Sequence, residues 1–537
     1  MRVSLAAIRE WALLALALFV LNFAVTFHNV WPTWWITTRY ELSVEIAVLL
    51  LALTLQARFV GALSPRMLTA VALLLTFMAV GRYAEVTAPA LYGRAVNLYW
   101  DAQYLPHVAA MLAEVSNPMR VIALIAACLA LLVGVYVVLR LALGRVVATL
   151  ASRAGQRLLG AGAAVLIGVY AVGHTSLPLR TLKYFSLPVV HTYWQQAEFI
   201  AAALSDTAAA EMLSTAEPLE QFALSRLEGA DVIVQFVESY GATSFDAPEI
   251  AAIVEPGRKE FTAAVAATNR RVASAFVESP TFGGASWFAH SSFMTGIDVR
   301  DRGAYDLLLT QDRTTLSRGF AAQGYRSVAL MPGLKNEWPE GAFYGFAAIY
   351  GERALAYRGP EFGWWRIPDQ YSLARLAAQE MQPAPRQPLF IFFPTISTHV
   401  PFRPVPPYQP DWQRMLSLEP YDAAPLDASL ALLPEWTNMR PAYGETLAYT
   451  FRYLGGFLRA HADARVVWIV VGDHQPAASV SGEGARWDVP VHVVSGNSAI
   501  IDALLEHGFT EGLTPATTAP LAPMHELPVL LLEAFTE

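Results

Sequence analysis

The chain reads as two joined parts: a bundle of about five membrane helices, then an α/β domain with a mostly parallel sheet covered by helices on both faces. Three observations lead there. Apolar runs about long enough to cross a bilayer fill the first third. After Pro218 the pattern changes to short β-branched runs alternating with amphipathic stretches. Hydrophobic residues make up 55% of the chain and charged residues only 15%, which is apolar for a soluble protein. At 537 residues the chain also exceeds one ordinary domain.

The expected spans are Trp11–Phe27, Val44–Val60, Met67–Val80, Val121–Leu143 and Leu158–Val172, the third being short. Arg2 and Arg9 precede the first span, and no small-residue cleavage site follows it, so it reads as a retained anchor. With five crossings, these arginines share a side with Arg58, Arg66, Arg140, Arg145, Arg153 and Arg157. That side is expected to be cytoplasmic. The opposite loops hold Arg39, Arg82, Arg94 and Arg120, and also Trp31, Trp34, Trp35, Tyr99 and Trp100, which suit an interfacial belt. An odd count puts everything after about Gly173 outside the cytoplasm. Residues 1–175 are therefore read as the membrane domain, 176–218 as juxtamembrane or interfacial helices, and 219–537 as the extracytoplasmic domain.

Composition excludes some classes. The net charge of −8 gives no basic footprint for nucleic acid. A single cysteine, Cys128, permits neither an intramolecular disulfide nor a cysteine zinc cluster. Lysine is confined to Lys183, Lys259 and Lys335.

In the second part the expected strands are Val232–Val237, Arg326–Leu330, Leu389–Phe393, Val466–Val471 and Val489–Val494. The expected helices are Glu260–Thr268, Trp287–Met294, Leu316–Gln323, Leu373–Glu380 and Tyr443–Ala460. Strands alternating with helices imply parallel pairing. In such sheets ligands sit outside the carboxyl ends of the strands. One strand runs into Glu238 and another into Asp473-His474, so two carboxylates and a histidine at one sheet edge read as a metal site.

A hydroxyl is available nearby. Gly283-Gly284 allows a tight turn, and Ser286 stands where a helix begins. Such a Ser is either a structural cap or a nucleophile, and the helix end favours a phosphoryl group. A divalent ion held by Glu238, Asp473 and His474 would activate the Ser286 oxygen and polarise the phosphoryl group. Thr281, Ser291 and Ser292 are weaker alternatives. His399 follows another strand, where it could bind the transferred group or protonate a leaving oxygen. The proline-rich loop after it, with Trp412, reads as a lid or a membrane-facing rim.

Together these segments resemble the alkaline phosphatase/sulfatase superfamily. The resemblance is to its membrane branch, the lipoteichoic acid synthase-like phosphoglycerol transferases and the phosphoethanolamine transferases. The matching residues are Glu238-Ser239, Ser286, His399 to Pro401, and Gly472 to His474. Gly324-Tyr325, Trp338 and Phe343 to Phe346 also resemble that branch. The resemblance implies one Mn²⁺ or Zn²⁺ held by Glu238, Ser286, Asp473 and His474. It implies transfer of a phospho-headgroup from a membrane phospholipid, through a covalent Ser286 intermediate, to an envelope glycan or glycolipid. The setting it implies is a bacterial cytoplasmic membrane with the domain outside.

Departures accompany it. Ser286 replaces the usual Thr. Phe288 and His290 stand where formylglycine sulfatases carry Pro and Arg. Trp338 is followed by Pro339-Glu340 where the lipoteichoic acid synthases have an Arg nearby. Lys335 and Arg300 are the basic residues assigned here to the phosphate. The competing readings are a sulfatase or phosphodiesterase of the same fold and a catalytically inactive envelope sensor.

Overall fold

The computed structural model describes residues 5–31, 33–92, 96, 98, 118–175, 184–203, 219, 222–335, 338–363, 366–516 and 519–536. Arg2, Arg94, Tyr99, Trp100, residues 176–183 and all of 204–218 fall outside them. The chain divides into two compact units, 1–205 and 206–537.

The first unit is helical: α1 (Leu5–Thr26), α2 (Val44–Phe59), α3 (Pro65–Tyr92), α4 (Pro118–Leu150), α5 (Arg153–Thr175) and α6 (Val189–Ala203). Among the described residues, four segments are long and apolar enough to cross a membrane: Ile8–Thr26, Pro65–Leu91, Val121–Leu150 and Arg153–Gly173. The second expected span, α2, is a helix of 16 residues. That is about 24 Å at 1.5 Å per residue, short of a hydrocarbon core about 30 Å thick. The third is longer than its apolar run suggested, because α3 continues through Arg82 and Pro89. Arg82 is therefore in a helix, not a loop. It is buried, donating to the Phe27 carbonyl at 2.9 Å and pairing with Glu85 at 3.1 Å.

The second unit is built on one eight-stranded sheet. Its strands are β1 (Asp231–Val237), β2 (Arg271–Glu278), β3 (Arg326–Leu330), β4 (Ala348–Tyr350), β5 (Leu389–Pro394), β6 (Val466–Gly472), β7 (Asp488–Ser495) and β8 (Thr510–Glu511). The spatial order is β8-β2-β7-β6-β1-β5-β3-β4. β6, β1, β5, β3 and β4 pair in parallel, and β7 and β8 run the other way. All five expected strands are present. β2, β4 and β8 complete the sheet.

Both faces are covered, as the run of buried residues along β1 requires. Ile233 and Val237 pack under α7 (Pro248–Ala267) and later helices, among Val254, Phe261, Leu447 and Phe451. Val232, Val234 and Phe236 face the other side, among Phe293, Phe320, Ile500 and Leu531. The long helix Arg440–Ala460 lies against α7.

β1, β2, β5 and β6 all point the same way. The loops after their carboxyl ends therefore emerge on one edge, and each carries one of the expected site segments.

Candidate active site

Glu238 and Ser239 follow β1 directly. Ser239 has a φ of 57°, and this turn is held by donated bonds. The Glu238 amide donates to Thr395 Oγ1 at 3.1 Å, and the Ser239 amide donates to Asp473 Oδ1 at 2.8 Å. The Tyr443 hydroxyl donates to the Ser239 carbonyl at 2.8 Å. On the next strand Gly472 has no substitute, because a Cβ there would collide with the Tyr240 carbonyl oxygen. This close approach lets Asp473 and His474 reach the turn after β1.

Ser286 opens α8 (Ser286–Thr295). Gly283, Gly284 and Ala285 precede it with φ of 68°, 145° and 61°. A left-handed Ala costs about 1 kcal/mol, the kind of backbone strain found at functional sites. Ala285 is the capping residue and makes no side-chain cap, so Ser286 is the first helical residue. Its hydroxyl donates to Glu238 Oε2 at 2.9 Å and lies 3.1 Å from His474 Nε2. Of the two roles open to this Ser, capping is not the one its bonds serve. The other hydroxyls are engaged structurally. Thr281 donates to the Gly284 carbonyl at 2.7 Å, Ser291 donates to the Trp287 carbonyl, and Ser292 accepts the Val299 amide at 2.9 Å.

Glu238, Asp473 and His474 are buried, and each offers a ligand atom within 4.8 Å of the others. His474 Nδ1 lies 2.7 Å from the Gln475 carbonyl, which only accepts, so Nδ1 carries the proton and Nε2 faces the cluster. Asp473 Oδ1 accepts two amides, from Ser239 and His474. Asp473 Oδ2 is buried with no partner. An orphaned carboxylate oxygen beside a second buried acid fits a divalent cation, and so does this O, O, N, O donor set with Ser286.

Burial, and then the Glu238 charge, push the Asp473 carboxyl well up. Burial would raise Glu238 too, but the His474 charge and hydrogen bond hold it well below the usual carboxylate range. Burial opposes the charged form of His474, yet Asp473 and Glu238 push its imidazole up to about 9. The cluster thus holds buried negative charge and answers it with protons.

His399 sits in the turn after β5. Asp369 accepts the Ile396 and Ser397 amides, each at 2.9 Å, and so anchors that turn. His399 Nδ1 lies 2.7 Å from the Val400 carbonyl. His399 contributes to the lowering of Glu238, which places it within electrostatic reach of the cluster.

The three other residues assigned to the substrate lie as follows. Arg300 is bound to Asp298 at 2.7 Å and Glu278 at 3.0 Å. Trp338 stacks on Tyr344 with centroids 5.4 Å apart. Lys335 is half-buried at the edge of the described residues. Trp412, expected on a lid or rim, packs edge-on against Phe457 at 5.4 Å on the body of the domain.

One residue gained a place that its sequence context did not give it. His290 lies one turn after Ser286, its ring 4.6 Å from that of Phe236. Its Nε2 is buried without a partner, 3.9 Å from the orphaned Asp473 Oδ2. Burial pushes its imidazole down to about 3, so it is neutral. The i, i+4 spacing from Ser286 was the signal that could have found it.

Fold and site together define a membrane protein with an α/β domain that presents a hydroxyl, two carboxylates and imidazoles at one sheet edge. The family model described as Sulfatase matches residues 269–492, from just before β2 into β7. The matched stretch contains Ser286, His399, Asp473 and His474.

Solved structures are similar to the chain at low identity. A protein of the alkaline phosphatase superfamily from Vibrio parahaemolyticus is 15% identical with a TM-score of 0.35, over 57% of this chain and 66% of that one. The lipoteichoic acid synthase LtaP from Listeria monocytogenes is 13% identical with a TM-score of 0.36, over 60% and 78%. The Streptococcus pyogenes phosphoglycerol transferase GacH, in complex with sn-glycerol-1-phosphate, is 11% identical with a TM-score of 0.38, over 60% and 84%. No curated protein matches the sequence significantly.

Proposed function

We propose that the protein is a membrane-bound, metal-dependent transferase that moves a phospho-headgroup, phosphoglycerol or phosphoethanolamine, from a phospholipid to an envelope glycan or glycolipid. One observation carries the reading: the Ser286 hydroxyl meets Glu238 and His474 at 2.9 and 3.1 Å where a helix begins. Glu238, Ser286, Asp473 and His474 would hold one Mn²⁺ or Zn²⁺. When bound, the cation supplies positive charge for the phosphoryl oxygens.

In the first half-reaction Ser286 Oγ attacks phosphorus and its proton passes to Glu238 Oε2. A bond forms between Oγ and phosphorus, and the bond from phosphorus to the diacylglycerol oxygen breaks. His399 delivers the proton that this oxygen takes up. In the second half-reaction an acceptor hydroxyl attacks phosphorus and gives its proton to His399, the bond from phosphorus to Ser286 Oγ breaks, and Oγ takes back the proton held by Glu238. The α8 N-terminus favours the phosphoryl charge in both halves. The four apolar segments give such an enzyme direct access to a lipid donor. With the short α2 counted as a fifth crossing, the reading places the chain in a bacterial inner membrane, with residues 219–537 on the outer side.

Intact mass after incubation of the full-length protein with phospholipid and Mn²⁺ tests it. The expected gain is one headgroup phosphate, located on Ser286. Diacylglycerol release that survives Ser286→Ala unchanged would falsify the assignment. Headgroup delivered only to water, with every acceptor offered, would identify a hydrolase of the same fold.

A further inference from the structure

The globular unit leaves one apolar surface segment uncovered. Among its described residues, nine large apolar side chains are exposed, and five fall between 418 and 436: Leu418, Leu430, Leu432, Leu433 and Trp436. Leu433 is 81% exposed and Trp436 62%. The helix in this segment, Ala423–Leu430, has no buried residue. Ser429 Oγ nonetheless donates to the Val405 carbonyl, which ties the segment to the proline-rich loop that leaves His399. Solvent alone does not favour such a cluster.

We propose that residues 418–436 form a lipid-contacting rim that dips into the bilayer surface and holds the catalytic edge at the membrane. The occupant follows from the chain itself. About 27 residues separate the end of α6 from the start of β1. The domain is therefore tethered to its own bilayer, and the local concentration of lipid surface is high.

The segment combines exposed leucines and a Trp, residue types suited to a bilayer interface. Its charged residues choose the lipid. Glu419, Asp422, Asp427 and Glu435 accompany the apolar side chains, and of these Asp422 is paired with Arg414 at 2.8 Å. Excess carboxylate is repelled by anionic headgroups and complements the ammonium groups of zwitterionic ones. The proposal rests on the transferase reading in one respect: a rim at the bilayer brings a lipid donor to Ser286.

The experiment uses the full-length protein in nanodiscs of phosphatidylcholine and phosphatidylethanolamine. In a Cys128→Ser background, an environment-sensitive fluorophore is attached at Leu433→Cys, at Trp436→Cys and at the exposed control Glu483→Cys. Lipids spin-labelled on the acyl chain should quench the first two probes and leave the third unchanged. Quenching no greater than at Glu483→Cys overturns the proposal. So does a probe shielded from iodide yet not quenched by lipid, which marks contact with a second copy of the chain.

A second arm compares substrates. Leu433→Asp with Trp436→Ser should lower turnover of bilayer phospholipid several-fold and leave turnover of a soluble phosphodiester unchanged. Equal loss on both substrates overturns the rim. Turnover of neither substrate by the parent protein defeats the transferase reading, and the quenching result alone then decides the rim.

Discussion

Asp231 and Asp473 are both buried acids of the same sheet, and their surroundings are opposite. Asp231 opens β1, where Arg386 grips both of its oxygens at 2.7 and 2.6 Å and the Leu389 amide adds a bond at 2.9 Å. Asp473 follows β6 on the other edge, with one oxygen satisfied by amides and the other bare. The Glu238 charge acts against it, His474 Nε2 lies 3.8 Å from its Oδ1, and no arginine or lysine pairs with it among the described residues. An acid completed by the fold holds the fold together. An acid left incomplete in the interior costs stability and leaves an oxygen open to a ligand.

The largest effect expected at the incomplete end is from Ser286→Ala. Diacylglycerol release should fall by at least ~10³-fold, while the thermal midpoint stays put. Paired substitutions sharpen the contrast. Asp473→Asn should abolish Mn²⁺ binding, measured by titration calorimetry. It should also raise the thermal midpoint of the chelator-treated protein by about 2–4 °C. Asp231→Asn should do the reverse, weakening the fold by about 1–2 kcal/mol in denaturant titrations, because the buried carboxylate loses its charge-assisted bonds to the exposed Arg386. Midpoints that move in the same direction in both variants would erase the distinction.

His290→Gln is the intermediate case. It leaves the charge count alone and removes an imidazole beside the bare oxygen, so cation affinity should drop ~10–100-fold with little change in melting. An unaltered affinity would make His290 mere filler between Phe236 and Phe392.

The smallest effect is a proton. His474 is pushed up to about 9 from an ordinary 6.5, so in chelated protein its contribution to stability is complete below pH 6.5 and disappears as pH rises through about 9. A cation must displace that proton. Calorimetry in buffers of different ionisation heat should therefore find proton release on binding at neutral pH and none well above 9. Binding that is indifferent to pH across that window would refute the charge assignment.

Much of this was legible in the residues, and the exceptions have physical causes. β1, β5, β6 and β7 are β-branched or aromatic runs, and each was visible. β2 was not, because RVASAFVE dilutes its apolar positions with Ala and Ser. β4 and β8 are edge pieces of three and two residues, too short for any period to register. α7 starts at Pro248 and passes through Pro256, where a proline argued for a break, so only its second half was expected.

At the site, Glu238, Asp473 and His474 declared themselves by ending buried strands, and Ser286 by following two glycines. His290 stood out only as a mismatch to a sulfatase pattern. Its value comes from where β6 puts Asp473, which no local stretch encodes.

The pairing of Val237 with Gly472 joins strands about 235 residues apart in the chain. The ribosome must therefore make almost the whole globular unit before β1 has its β6 neighbour. Until then a strand of seven buried residues waits with that side bare. Such a long-range partnership makes assembly slow and exposes the nascent chain to aggregation. A stop codon anywhere ahead of Gly472 would remove the cation cradle and the centre of the sheet in one stroke. Truncated forms should be cleared by proteases, leaving no inert anchored remnant.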